Sequence, residues 1–147
     1  MEPLPPPSQH PVVHIGALEL RFLADETTGS GDLVMFEFTV PPGARVPAPH
    51  FHERVDEAVY GLSGCLASRR GEERFAIRPG DSLLIPRGVV HHHENLLPEP
   101  AKVLVVLTPG SIGRRYFEET AALLARPGPP DPAAMQALMR RHGLVPA

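Results

Sequence analysis

Phe36, Phe38 and Val40 alternate with Glu37 and Thr39. A half-buried strand imposes this period of two, because successive side chains point to opposite faces. Short apolar runs broken by turn residues recur from Val12 to Thr108. They predict strands at 12–15, 18–23, 32–40, 56–62, 65–69, 73–78, 82–86, 90–95 and 102–108. The breaks include Thr28-Gly29-Ser30-Gly31, Pro41-Pro42-Gly43, Arg70-Gly71, Pro79-Gly80-Asp81 and Pro98-Glu99-Pro100. Many short strands with Gly and Pro turns argue for a sandwich or barrel and against alternating strands and helices.

Beyond Pro109-Gly110 the period lengthens. Phe117, Thr120, Ala121 and Leu124 fall at i, i+3, i+4 and i+7, which predicts a helix with Ser111 as its candidate cap. Pro127-Gly128-Pro129-Pro130 stops it. Asp131 and Pro132 open a second helix with Met135, Leu138 and Met139 as its apolar stripe, and Gly143 is its expected end. The first eleven residues hold five prolines and no apolar period, and read as a flexible arm. The expected organisation is therefore an arm over 1–11, a β body over 12–110 and a helical extension over 111–147. One or two helices should pack outside the strands.

A length of 147 residues suits one domain, and 42% hydrophobic with 21% charged residues is a globular balance. The net charge of −3 disfavours nucleic acid or an anionic membrane as a partner. The single cysteine, Cys65, excludes an intrachain disulfide and a Cys-based zinc cluster; it reads as a small, buried or half-buried strand residue. Runs such as Val103 to Leu107 are too short to cross a bilayer, and the start MEPLPPPSQH lacks a basic, apolar leader. A cytoplasmic protein is expected.

Eight histidines change the picture, because His50, His52, His91, His92 and His93 crowd one stretch of chain. The first segment, PPGARVPAPHFHERVDEAVYGLSG, carries His50, His52, Glu57 and Gly64. On a strand, His50 and His52 share a face. The second, GDSLLIPRGVVHHHEN, carries Gly80, Pro86, Gly88, His91 and Asn95. These segments resemble the two motifs of the cupin superfamily, G-x5-H-x-H-x3,4-E-x6-G and G-x5-P-x-G-x2-H-x3-N. The second is matched at every position. The first has six residues between Gly43 and His50 where the motif has five, an extra residue in the proline-broken stretch before the ligands. At this composition the second motif would arise by chance at about 10⁻⁷ per starting position.

The resemblance covers residues 32–108 and implies an all-β fold, the double-stranded β-helix (jelly-roll) barrel. It implies that His50, His52, Glu57 and His91 hold one divalent transition metal ion. Three imidazoles and a carboxylate suit Fe, Mn, Ni, Cu or Zn, and four protein ligands leave positions open for water or a substrate oxygen. Gly80 and Gly88 are expected in tight turns, and Asn95 in a hydrogen bond to a loop. His93 shares a strand face with His91; it contacts substrate, supports a ligand or replaces one. His92 points the other way, toward solvent. Glu37 faces either the cavity or solvent, and Tyr60 either the core or the cavity wall. His10, His14 and His142 read as surface residues.

The ligand set is similar to that of quercetin dioxygenase-like cupins. It implies a metal-dependent dioxygenase acting on a small enol- or catechol-like molecule, with Glu57 as the catalytic base. The alternatives are an isomerase or lyase acting on a sugar or small acid, and a non-catalytic metal or ligand-binding module. The resemblance also implies a homodimer in which segment 12–23 adds to the partner's sheet.

Overall fold

The computed structural model describes residues 1–147. A short 3-10 turn at Pro7–Gln9 precedes eleven strands and two helices. The strands are β1 (Val12–Ile15), β2 (Leu18–Ala24), β3 (Val34–Val40), β4 (His50–His52), β5 (Asp56–Ser63), β6 (Leu66–Arg70), β7 (Glu73–Ile77), β8 (Ser82–Ile85), β9 (His91–Glu94), β10 (Ala101–Thr108) and β11 (Leu144–Pro146). The helices are α1 (Arg114–Leu124) and α2 (Pro132–Arg141). No helix is long and apolar enough to cross a membrane.

The strands form two antiparallel sheets. The larger has the order β1-β2-β3-β10-β5-β8 and the smaller β11-β4-β9-β6-β7. The fold is mostly β, with the two-sheet jelly-roll layout that the motif resemblance implies. Register carries the buried face straight across the larger sheet: Phe22, Phe36, Val105 and Val59 are successive partners, and all four are buried. Each such side chain contributes about 1.5–3 kcal/mol when removed from water. Phe117 of α1 joins this layer, its ring 5.7 Å from Phe22 and 5.3 Å from Phe36.

Two strands escaped the periodicity. β4 has three residues, His-Phe-His, and β11 has three, Leu-Val-Pro. Neither is long enough to show a period of two, and each is held by its neighbour, β11 pairing with β4 and His50 pairing with His91. The C-terminal extension thus contributes a strand to the smaller sheet as well as its helices.

Helix α1 also differs at its start. Its N-cap is Gly113, not Ser111, and it has no side-chain cap of its own. Glu26, in the β2–β3 loop, accepts from the backbone N–H groups of Arg114 at 3.0 Å and Arg115 at 3.2 Å. Its carboxylate satisfies orphan donors and opposes the positive end of the helix dipole. Gly113 leaves room for it, since a Cβ there would overlap the Glu26 carboxylate. Arg114 adds a bridge to buried Asp25 at 3.0 Å. Helix α2 starts as read, with the Asp131 carboxylate accepting from Ala133 N–H at 3.0 Å.

Strand β2 is paired on both edges within the chain, by β1 and β3. Of segment 12–23, only β1 keeps a free edge for a partner.

Candidate metal centre

The smaller sheet delivers the imidazoles. His50 and His52 leave β4 on one face, and the β4–β9 pairing sets His50 opposite His91. Their rings converge: centroids are 5.3 Å apart for His50 and His52, 4.7 Å for His50 and His91, and 4.7 Å for His52 and His91. One ring nitrogen from each of these three side chains lies within 4.8 Å of the others. Glu57 arrives from β5 in the opposite sheet, on the buried face beside Val59. Its carboxylate groups with His91 and His93, so His91 belongs to both clusters.

The turns of the second segment hold this arrangement. Gly88, at φ +82°, takes a conformation that side chains resist, and its N–H donates to the carbonyl of His52 at 2.7 Å. The turn that leads to His91 is thereby pinned to the strand bearing His52. Arg87 clasps Asp56, the residue before Glu57, at 3.1 Å. Buried Asn95 donates to the carbonyls of Val40 at 2.9 Å and Glu99 at 2.6 Å, and accepts from Leu97 N–H at 3.0 Å. It ties β9 to the end of β3 and to the following loop.

Hydrogen bonds choose which ring nitrogen faces inward. His50 Nδ1–H donates to the carbonyl of Ala48 at 2.7 Å, within the stretch that carries the extra residue. His91 Nδ1–H donates to the carbonyl of Val89 at 3.1 Å. In both, Nε2 keeps a free lone pair, the tautomer a metal ligand needs. Burial lowers the pKa of His50 to about 4, helped by the nearby His91, and that of His52 to about 3, against the attraction of Glu57. Both rings are neutral at pH 7. Burial alone would raise the Glu57 pKa, but the hydrogen bond from His93 and the electrostatic pull of the His93, His91 and His52 rings as they take up protons hold it well below the ordinary carboxylate range. The site therefore offers two neutral imidazoles, His50 and His52, and an anion.

These residues fit a divalent cation. His91 Nε2 faces Glu57 Oε2 at 3.4 Å, two lone-pair donors toward each other, an arrangement that a positive ion between them satisfies. The mixed nitrogen and oxygen set matches a transition ion better than calcium, which takes oxygens.

His93 enters the same cluster, as its strand parity allowed. Its Nε2–H donates to Glu57 Oε2 at 3.0 Å, and its Nδ1 bonds the Ser68 hydroxyl at 2.8 Å. Ser68 is buried and stands opposite His93 in the β6–β9 register. Nothing in its local sequence marked it; only the pairing reveals it.

Glu37 and Tyr60 are not brought to the site. On β3 the buried positions are Val34, Phe36 and Val40, so Glu37 points outward and pairs with Lys102 at 3.4 Å. On β5, Glu57 and Val59 face inward, which sends Tyr60 outward with 46% of its surface exposed. His92 lies on the outer face opposite Arg69 and is half-buried rather than fully exposed. Cys65 is half-buried, as read. His142 bonds Glu119 at 3.2 Å on the helices, away from the site.

A family model described as Cupin domain matches residues 36–107, the span from β3 through β10 that bears every residue of the centre. No curated protein matches the chain. Among solved structures, the polyketide cyclase RemF from Streptomyces resistomycificus is similar at TM-score 0.62 and 25% identity, covering 74% of this chain and 80% of that one. A sugar phosphate isomerase of the cupin superfamily from Silicibacter pomeroyi is similar at TM-score 0.57 and 26% identity, covering 64% and 60%. A predicted oxalate decarboxylase from Thermotoga maritima shares the fold at TM-score 0.64 and 21% identity, covering 71% and 96%.

Proposed function

We propose that this chain, which belongs to the cupin superfamily, is a metal-dependent dioxygenase acting on a small enol- or catechol-like molecule. The observation that carries the reading is the convergence of His50, His52 and His91 beside the Glu57 carboxylate. His50, His52, His91 and Glu57 would hold a single Fe, Mn, Ni, Cu or Zn ion. When bound, a redox-active ion of this kind supplies a site at which a deprotonated enol and O₂ meet.

The chain's own residues do the rest. The neutral His50 and His52 imidazoles present lone pairs without first losing protons. Glu57, buried at the site, would accept the proton of the substrate hydroxyl. Val59 and Ile85, both buried, flank Glu57 in the sheet. The reading includes a cytoplasmic homodimer, joined through β1.

A second reading is Lewis-acid chemistry without O₂, an isomerisation or cyclisation on a sugar or small acid. The similarity to the isomerase and the polyketide cyclase, both at 25% identity or more, favours it. O₂ uptake with flavonols, catechols and enediols separates the two. A dioxygenase consumes O₂ with a redox ion and is inactive with Zn. Turnover that proceeds with Zn under argon selects the second reading, and ligand binding with no turnover under either condition leaves a binding module.

A further inference from the structure

Glu57 stands apart from the other proposed ligands. The three imidazoles leave adjacent strands of the smaller sheet, whereas Glu57 reaches across from the larger one. Its carboxylate has three side-chain torsions to fix, and ordering such a side chain costs conformational entropy. No group of its own sheet hydrogen-bonds it. The hydrogen bond that fixes it comes from His93 Nε2, 3.0 Å from Oε2; the His91 Nε2 lone pair faces the same oxygen at 3.4 Å. Oε1 is left without a protein donor.

His93 is itself held. A carboxylate only accepts, so the Nε2 that meets Glu57 carries a hydrogen. Its Nδ1 is hydrogen-bonded to the Ser68 hydroxyl at 2.8 Å. With both nitrogens engaged, His93 has no lone pair to offer an ion in this arrangement. The register that sets Ser68 opposite His93 makes the contact a property of the β6–β9 pairing.

We propose that His93 is a positioning residue. Its Nε2–H holds Glu57 Oε2 and so fixes the carboxylate that would bind the ion, and the Ser68 hydroxyl anchors the ring through Nδ1. The inference rests on the metal-site reading above. Partners of this kind change metal affinity about 10- to 100-fold when removed.

The test uses Co²⁺ and Cu²⁺ as probes on the full chain. In Co²⁺ titrations, His93→Leu should bind about 10- to 100-fold more weakly than wild type, with a changed visible absorption spectrum. His93→Gln, whose amide N–H reaches Glu57, should recover most of the affinity and the wild-type spectrum. Ser68→Ala should show a smaller loss in the same direction, and it supplies the answer if His93→Leu does not fold. Pulsed EPR of the Cu²⁺ form should count the same imidazoles in wild type and His93→Gln. Wild-type affinity and spectrum in both His93→Leu and Ser68→Ala would overturn the proposal by reducing His93 to packing. Loss of one imidazole from the EPR count in His93→Gln would overturn it by making His93 a ligand. A wild-type chain that binds neither ion would instead sink the metal-site reading itself, and this inference with it.

Discussion

Asn95→Ala separates the residues that hold the centre's frame from those that hold its ion. The side chain is buried and makes three hydrogen bonds, at 2.9, 2.6 and 3.0 Å, to Val40, Glu99 and Leu97. Each is worth about 1 kcal/mol net, and the buried carbonyl of Val40 loses its donor, so the expected loss is about 2–4 kcal/mol. At roughly 2 cal/mol/K per residue of unfolding entropy, a chain of this length loses about 3 °C for each kcal/mol. The melting temperature should therefore fall by about 6–13 °C. Because Asn95 touches no proposed ligand, the folded variant should bind a metal ion at wild-type stoichiometry. Thermal unfolding by circular dichroism, with elemental analysis of the folded variant, reads both quantities. A fall of under 2 °C, or metal lost from a variant of unchanged melting temperature, would refute the assignment of Asn95 to the frame.

Glu26→Ala strips the N-terminus of α1 of its cap and should cost about 1–2 kcal/mol, read by urea unfolding, with metal content unchanged. A shift within the scatter of the wild-type midpoint would show that the carboxylate caps nothing. Glu37→Gln and Tyr60→Ser alter outward-facing side chains and should leave metal affinity at the wild-type value in a Co²⁺ titration; a tenfold loss in either would contradict the placement of these residues. In the metal-free protein, His50 and His52 take protons near pH 4 and 3 when folded but near 6.5 when unfolded. The unfolded chain then binds more protons over that window, so stability falls as pH drops below about 6.5 and keeps falling toward 3. Glu57, held below its ordinary range, adds to the same trend at the acid end. Melting temperatures of chelator-treated protein across that range test this, and a flat profile between pH 6.5 and 4.5 would contradict it.

The strand text was legible wherever alternation ran for four residues or more. Val34–Val40 shows why: its partners on β2 and β10 bury every second side chain, and the sequence repeats that choice. His50–His52 and Leu144–Pro146 were not legible, because three residues carry no period and their pairing comes from distant chain. The cap of α1 was hidden for the same reason, lying 88 residues upstream at Glu26. The second motif could be read position by position. Gly88 does adopt a positive φ, and Asn95 does secure a loop. At the centre, spacing brought His50, His52, Glu57 and His91 to notice, and strand parity added His93. Parity failed to choose a side for Glu37 and Tyr60, since a period of two is symmetric until a partner sheet marks one face as inner. Ser68 was invisible to spacing because its relation to His93 exists only across a strand pair.

The account turns on whether three imidazoles and a carboxylate from two sheets share an ion. Elemental analysis of protein purified without added metal, for wild type and His52→Ala side by side, tests that most directly. The account predicts close to one transition metal ion per chain in the wild type and essentially none in the folded variant. Metal-free wild-type protein that also fails to take up Fe, Mn, Ni, Cu or Zn, or equal metal content in the two proteins, would contradict it.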